Sequence, residues 1–139
     1  MKIILNKCYG GFGVSPDGYK KYCEKKGLPC FVYDAKIGDF YTFVKTDSPS
    51  DYARYSTKDF GNIISANDFY ALTAKNDCQV YLSRDYRTDP VLIEVVEELG
   101  DEVNTFYSRL IIVDIPDDMN YVIDDYDGIE TLHERVQVW

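Results

Sequence analysis

The sequence predicts an α+β fold: a single domain carrying a mixed or antiparallel sheet of five or six strands with two or three helices. Three observations lead there. Short β-rich runs recur near both ends, one segment carries a clean amphipathic helix pattern, and hairpin signals alternate with strand–helix connections.

Lys2–Asn6 reads as a short buried strand. Ser15-Pro16-Asp17 then starts a helix, because serine accepts bonds from free backbone amides, proline suits the first helical position and aspartate complements the positive end of the dipole. That helix should run to about Lys26, stop at Gly27 and bury Tyr19, Tyr22 and Cys23. Residues 30–33 and 40–44 are β-rich runs around Lys36-Ile-Gly-Asp39, the pattern of a hairpin. Residues 46–64, rich in Ser, Asp, Tyr and Gly, read as a long irregular loop, followed by a short helix over 66–74 and a strand over 79–82.

The strongest helix signal starts at Asp89-Pro90. Leu92, Val95, Val96 and Leu99 follow the i, i+3, i+4, i+7 rule, while Glu94, Glu97 and Glu98 face water. Gly100 can end it, although Val103 continues the apolar face. Residues 110–113 make a buried strand closing at Ile115-Pro116. For the last segment, Ile129, Leu132, Val136 and Trp139 have helical spacing, but Asp127-Gly128 is a hairpin turn signal. The hairpin is favoured, with Tyr126 opposite Ile129, Asp125 opposite Glu130, Ile123 opposite Leu132 and Val122 opposite His133.

A chain of 139 residues with 45% hydrophobic and 15% aromatic content can bury a real core. It holds no run long enough to span a bilayer and too short an apolar start for a signal peptide, so a cytosolic, reducing setting is expected, with Cys8, Cys23, Cys30 and Cys78 as free, mostly buried thiols and one disulfide pair as the alternative. The charge is uneven. Residues 1–75 hold eleven basic against eight acidic residues (+3), and residues 76–139 four against sixteen (−12), giving the total of −9. Nucleic-acid affinity comes from neutralised phosphates, so direct nucleic-acid binding is not expected; a basic protein surface is a fitting partner.

Three clusters can carry chemistry. The first is the glycine-rich turn Lys7, Tyr9, Gly10, Gly11 and Phe12 ahead of a helix, where backbone amides can converge on an anion and the rings can stack. Gly11-Phe-Gly13 lacks the last glycine of the dinucleotide fingerprint, and the phosphate-loop signature is absent; the same glycines can serve only a positive φ or close packing. The second is Arg84 and Arg87 before the cap Asp89, suited to bidentate binding of phosphate or carboxylate, or to pairing with Glu130 or Glu134. The third is the acidic hairpin. Asp125 opposite Glu130 is repulsive in a plain sheet, so a divalent metal, a proton shared between the two, or a neighbouring arginine must compensate. With His133, the lone histidine, these two carboxylates are the candidate catalytic set. Cys8, beside Lys7 and near a helix start, is the one thiol with an argument for activation. No metal and no cofactor is expected.

Taken together, N-K-C-Y-G-G-F at 6–12, R-T-D-P-V-L-I at 87–93, V-V-E-E-L-G at 95–100, L-I-I-V-D-I-P-D-D at 110–118 and D-D-Y-D-G-I-E at 124–130 resemble a family of small uncharacterised proteins carried by bacteriophages and prophages. The likeness covers both ends of the chain, while residues 28–83 depart from it. It implies an accessory protein of the host cytoplasm, of a kind that binds host components or signalling nucleotides to blunt antiviral defence, and it names no catalytic residues. Three functions follow as expectations: a binding module for a small anionic ligand such as a nucleotide, held where the glycine turn, Arg84/Arg87 and the hairpin meet; an acidic inhibitor of a basic host protein through residues 94–134; and a hydrolase or transferase using Asp125, Glu130 and His133. Homo-oligomerisation is compatible with each.

Overall fold

The computed structural model describes residues 1–135. Among them the chain forms three α-helices and nine strands, so the α+β class holds. Cα proximity divides the chain into two compact units: Met1–Gly18 with Leu82–Trp139, and Tyr19–Tyr81 inserted between them. No helix of the described residues is long and apolar enough to cross a membrane.

In the first unit, β1 (Lys2–Asn6) pairs antiparallel with β7 (Leu110–Asp114), Asn6 lying opposite Leu110. β8 (Tyr121–Tyr126) and β9 (Ile129–Glu134) form the terminal hairpin. Its register is the expected one, including Asp125 opposite Glu130 and Ile123 opposite Leu132, because the two-residue Asp127-Gly128 turn places both residues at positive φ and matches the strand twist. The helical alternative is thereby answered for the described residues; Val136 and Trp139 lie outside them. Ile3, Leu5 and Ile115 form a buried cluster against which Ile123 and Leu132 pack. Each fully buried side chain of this size contributes roughly 1.5–3 kcal/mol.

Helix α3 (Pro90–Leu99) starts where Asp89 Oδ1 accepts from the amides of Val91 (2.9 Å) and Leu92 (3.0 Å). It ends at Gly100, φ +57°, after which the apolar face continues for one 3-10 turn to the fully buried Val103.

Helix α1 (Pro16–Lys26) runs from the first unit into the second, capped by Ser15, whose Oγ accepts from Gly18 N, and followed by Gly27 at φ +66°. Tyr19, Tyr22 and Cys23 are buried as expected, Tyr19 stacking on Tyr55 with centroids 3.9 Å apart. The second unit carries β2 (Phe31–Lys36), β3 (Asp39–Lys45), β4 (Arg54–Ser56), β5 (Ile63–Ser65), α2 (Ala66–Asn76) and β6 (Gln79–Val80). Its sheet is antiparallel in the order β5-β3-β2-β4-β6. Tyr33, Phe43, Ile64 and Phe69 form its core.

Residues 46–64 differ from the irregular loop expected of them: β4 and the start of β5 lie within that span. These strands are three residues long and too short to show alternation, so their pairing comes from neighbours already in place. The buried Tyr33 hydroxyl fastens the rest, donating to Gly61 O (2.8 Å) and accepting from Phe60 N (2.9 Å). All four cysteines are free thiols; Cys23 and Cys78 are buried, Cys8 and Cys30 half-buried. The Cys30 thiol is pushed well up by its hydrogen bond with Cys23 and by burial.

Candidate functional site

The glycine turn, Arg87 and the terminal hairpin do meet, all within the first unit. Glu130 is the centre, only 2% exposed. Its carboxylate accepts from Arg87 Nη1 (3.2 Å) and Nη2 (2.8 Å) and from Asn6 N (2.8 Å), while its backbone carbonyl accepts from Lys7 Nζ. Arg87 Nη1 also donates to Ile4 O at 3.0 Å, and its guanidinium lies 5.7 Å from the Phe12 ring centroid. An arginine is therefore what offsets the facing carboxylates. A forked guanidinium–carboxylate bond in a buried setting uses the donors a ligand would need.

Asn6, which reading the sequence did not single out, completes the cluster. It is fully buried; its Nδ2 donates to Cys8 O (2.8 Å) and Gly128 O (2.6 Å), and its Oδ1 accepts from Arg109 N (2.8 Å). The glycines are used for proximity. A Cβ on Gly10 would lie 2.7 Å from Tyr107 Cβ, and one on Gly128 would lie 2.4 Å from Gly11 N. Gly10 N itself donates to Asp127 O at 3.2 Å. The place where the three segments meet is packed backbone and paired charge.

The remaining predicted residues are arranged around this cluster. Asp89 caps α3. Arg84 is exposed, 3.9 Å from Asp125 Oδ2, and Asp125 Oδ1 accepts from Gly128 N at 2.8 Å. Tyr9 is exposed. His133 Nδ1 lies 3.4 Å from Asp124 Oδ2, both side chains in solvent. Glu130 and His133 are three residues apart on one strand, so the pleat sends them to opposite faces. They cannot act on one bound substrate. No group of three His, Cys, Asp or Glu poised to hold a metal ion occurs among the described residues.

A different concavity lies in the second unit. The β2–β3 pairing is regular through Ala35 opposite Phe43, then shifts so that Lys36 faces Asp39, and residues 40–42 bulge out. Asp39 holds the bulge: Oδ1 accepts from Tyr41 N (3.0 Å) and Oδ2 from the Thr42 hydroxyl (2.8 Å). The Thr42 hydroxyl first, then the Tyr41 amide, keep the Asp39 carboxyl below its usual range. Across from it, Asp34 fixes the returning loop, accepting from Ser50 N (2.7 Å) and Ser50 Oγ (2.8 Å). Between bulge and loop is a cavity of roughly 920 Å³ with apolar walls from Ile37, Phe40, Val44 and Tyr52.

Two cations line it. Lys36 stands opposite Asp39, whose carboxyl its charge helps to hold down, and Arg54 Nε donates to Tyr70 Oη (3.2 Å) while its guanidinium lies 4.8 Å from the Phe43 ring centroid. The one lining carboxylate, Asp34, is occupied by Ser50. The sequence carried a signal of this site: Ile37, Phe40 and Tyr41 are large apolar residues at a hairpin tip, where polar ones are usual, and all three are exposed.

Comparison of the chain with family models, with curated proteins and with solved structures finds no match in any of the three.

Proposed function

We propose that this chain is a binding protein for a small anionic ligand with a flat or apolar body, a nucleotide being one such molecule, and that the ligand is taken by the cavity between the β2–β3 bulge and the loop held by Asp34. The observation that carries this reading is a cavity of roughly 920 Å³ whose walls are aliphatic and aromatic and which Lys36 and Arg54 line against one carboxylate, that of Asp34, itself bonded to Ser50. Ligand sites in proteins are concave, mostly apolar and furnished with a few convergent polar groups, commonly at 300–1,000 Å³ or about that size. Phe40 and Tyr52 offer faces for a planar ring; Lys36 and Arg54 suit phosphate or carboxylate.

The ligand site is thus assigned away from Arg87 and the glycine turn. The resemblance to bacteriophage and prophage proteins supports an accessory role in the host cytoplasm, sequestering a signalling nucleotide or a related host molecule.

The test is a thermal-shift and calorimetric screen of the whole chain against mono-, di- and cyclic nucleotides. A true ligand present at a hundredfold its Kd stabilises by about 2.7 kcal/mol, and the stabilisation should vanish in Lys36→Glu, an exposed substitution that leaves the core intact. If no nucleotide or other anionic aromatic compound shifts the melting curve, or if Lys36→Glu and Arg54→Gln bind as the parent does, the reading fails.

A further inference from the structure

The first unit carries a surface of its own. Four exposed aromatic side chains stand on three neighbouring segments, Tyr126 at the end of β8 on the hairpin face opposite Glu130: Tyr9 is 59% exposed, Phe106 83%, Tyr107 54% and Tyr126 79%. The segments touch at Gly10, whose absent side chain lets the turn lie against Tyr107 Cβ and whose amide donates to Asp127 O, next to Tyr126. Phe106 and Tyr107 meet edge to face, centroids 5.0 Å apart.

Their loop is fastened. Ser108 Oγ donates to Gly13 O (2.8 Å) and accepts from Thr105 N (2.8 Å) and the Thr105 hydroxyl (3.0 Å), and Tyr107 N donates to Thr105 Oγ1 (3.3 Å). Exposed rings on a backbone bonded this way are displayed at low entropic cost. Aromatic residues gathered at a surface mark interaction sites.

Charge states what covers them. The first unit holds six basic and sixteen acidic residues, a balance of −10, whereas the inserted unit holds nine and eight, a balance of +1. In these three segments and the neighbouring residues 84–85, Asp85, Asp124, Asp125 and Asp127 outnumber Lys7, Arg84 and Arg109. Rings with negative faces, set among carboxylates, attract guanidinium and ammonium groups. Phosphate-bearing partners are repelled.

We propose that Tyr9, Phe106, Tyr107 and Tyr126, with Asp124 and Asp127, form a docking surface for an arginine- or lysine-rich segment of another protein. Cationic side chains seat on the rings while the carboxylates steer the approach and fix its register.

The experiment titrates fluorescent deca-arginine and deca-lysine peptides against the full chain, by anisotropy, at low and at physiological salt. Binding that weakens with salt but persists at the physiological level is expected. Phe106→Ser/Tyr107→Ser should weaken it roughly tenfold, about 1.4 kcal/mol, and so should Asp124→Asn/Asp127→Asn, in which asparagine tolerates the positive φ of position 127. Asp101→Asn/Asp118→Asn, which removes the same charge elsewhere in the unit, should change affinity less than twofold or about that. Circular dichroism verifies that each variant is folded, and Lys36→Glu should bind the peptides as the parent does, which separates this surface from the cavity. The proposal is overturned if the remote pair weakens binding as much as the local one, if the aromatic variant binds unchanged, if neither peptide binds at physiological salt, or if the parent self-associates and the aromatic variant does not.

Discussion

Replacing Glu130 by glutamine keeps the side chain's shape and removes its charge, and the structure sets what that should cost. In the parent, one carboxylate satisfies two guanidinium nitrogens and the buried amide of Asn6, with side-chain exposures of 14% for Arg87 and 3% for Glu130. The amide oxygen of glutamine can accept from one of these donors with full strength; its NH₂ faces a guanidinium that has none to accept. Removing one partner of a buried pair costs about 3–5 kcal/mol, because the other charge is left uncompensated. For a chain of this size that is a fall in melting temperature of roughly 10–15 °C. Arg87→Met/Glu130→Leu, which removes both charges, should cost distinctly less than Glu130→Gln, since apolar replacement of a buried pair is often close to neutral. Urea denaturation of the parent, the single and the double variant measures the three values. A loss below about 1 kcal/mol for Glu130→Gln, or a double variant no better than the single, would refute the view that this pair is a structural clamp.

Two further predictions come from the same geometry. Gly128→Ala should cost roughly 2–4 kcal/mol, because the added methyl meets the Gly10 and Gly11 amides and the residue sits at φ +94°; Gly11→Ala, at φ +112° but facing open space, carries only the backbone strain, so chemical denaturation should rank the first well above the second. On the acid side, Asp59 is held below the usual carboxylate range by the Lys45 ammonium first and the Gly61 amide next. A depressed folded-state value gives stability that is present above the unfolded value, near about pH 4, and is lost as pH falls through the folded one. Melting temperatures taken from pH 7 down to about pH 2 should therefore show a shallower acid decline for Asp59→Asn than for the parent, and identical slopes would exclude the contribution.

The sequence was most legible where local chemistry decides structure. Ser15-Pro16 and Gly27 bracket α1, Asp89-Pro90 starts α3, and Asp127-Gly128 sets the hairpin register residue by residue, since caps and two-residue turns depend on side chains within a few positions. Less legible was 46–64, where β4 and β5 pair only because β2 and β3 are already there. The meeting of the glycine turn with Arg87 and Glu130 could be anticipated from residue types, but its density could not: whether Arg87 serves a ligand or a carboxylate depends on the distance across β1 to β9, and Asn6 looked like the end of a strand. The cavity was missed because its cations, Lys36 and Arg54, stand eighteen positions apart in sequence and its shape follows from a register shift that no periodicity announces.

The nesting of one unit inside the other has a consequence for biosynthesis. β1 is made first, yet its partner β7 leaves the ribosome only after the whole inserted segment has been translated. Residues 19–81 have every strand neighbour within their own span and can condense while the polypeptide is still growing. The leading strand must wait, its Ile3, Ile4 and Leu5 bare, and a product halted before residue 110 would keep every strand neighbour of the inserted unit while leaving those three to chaperones.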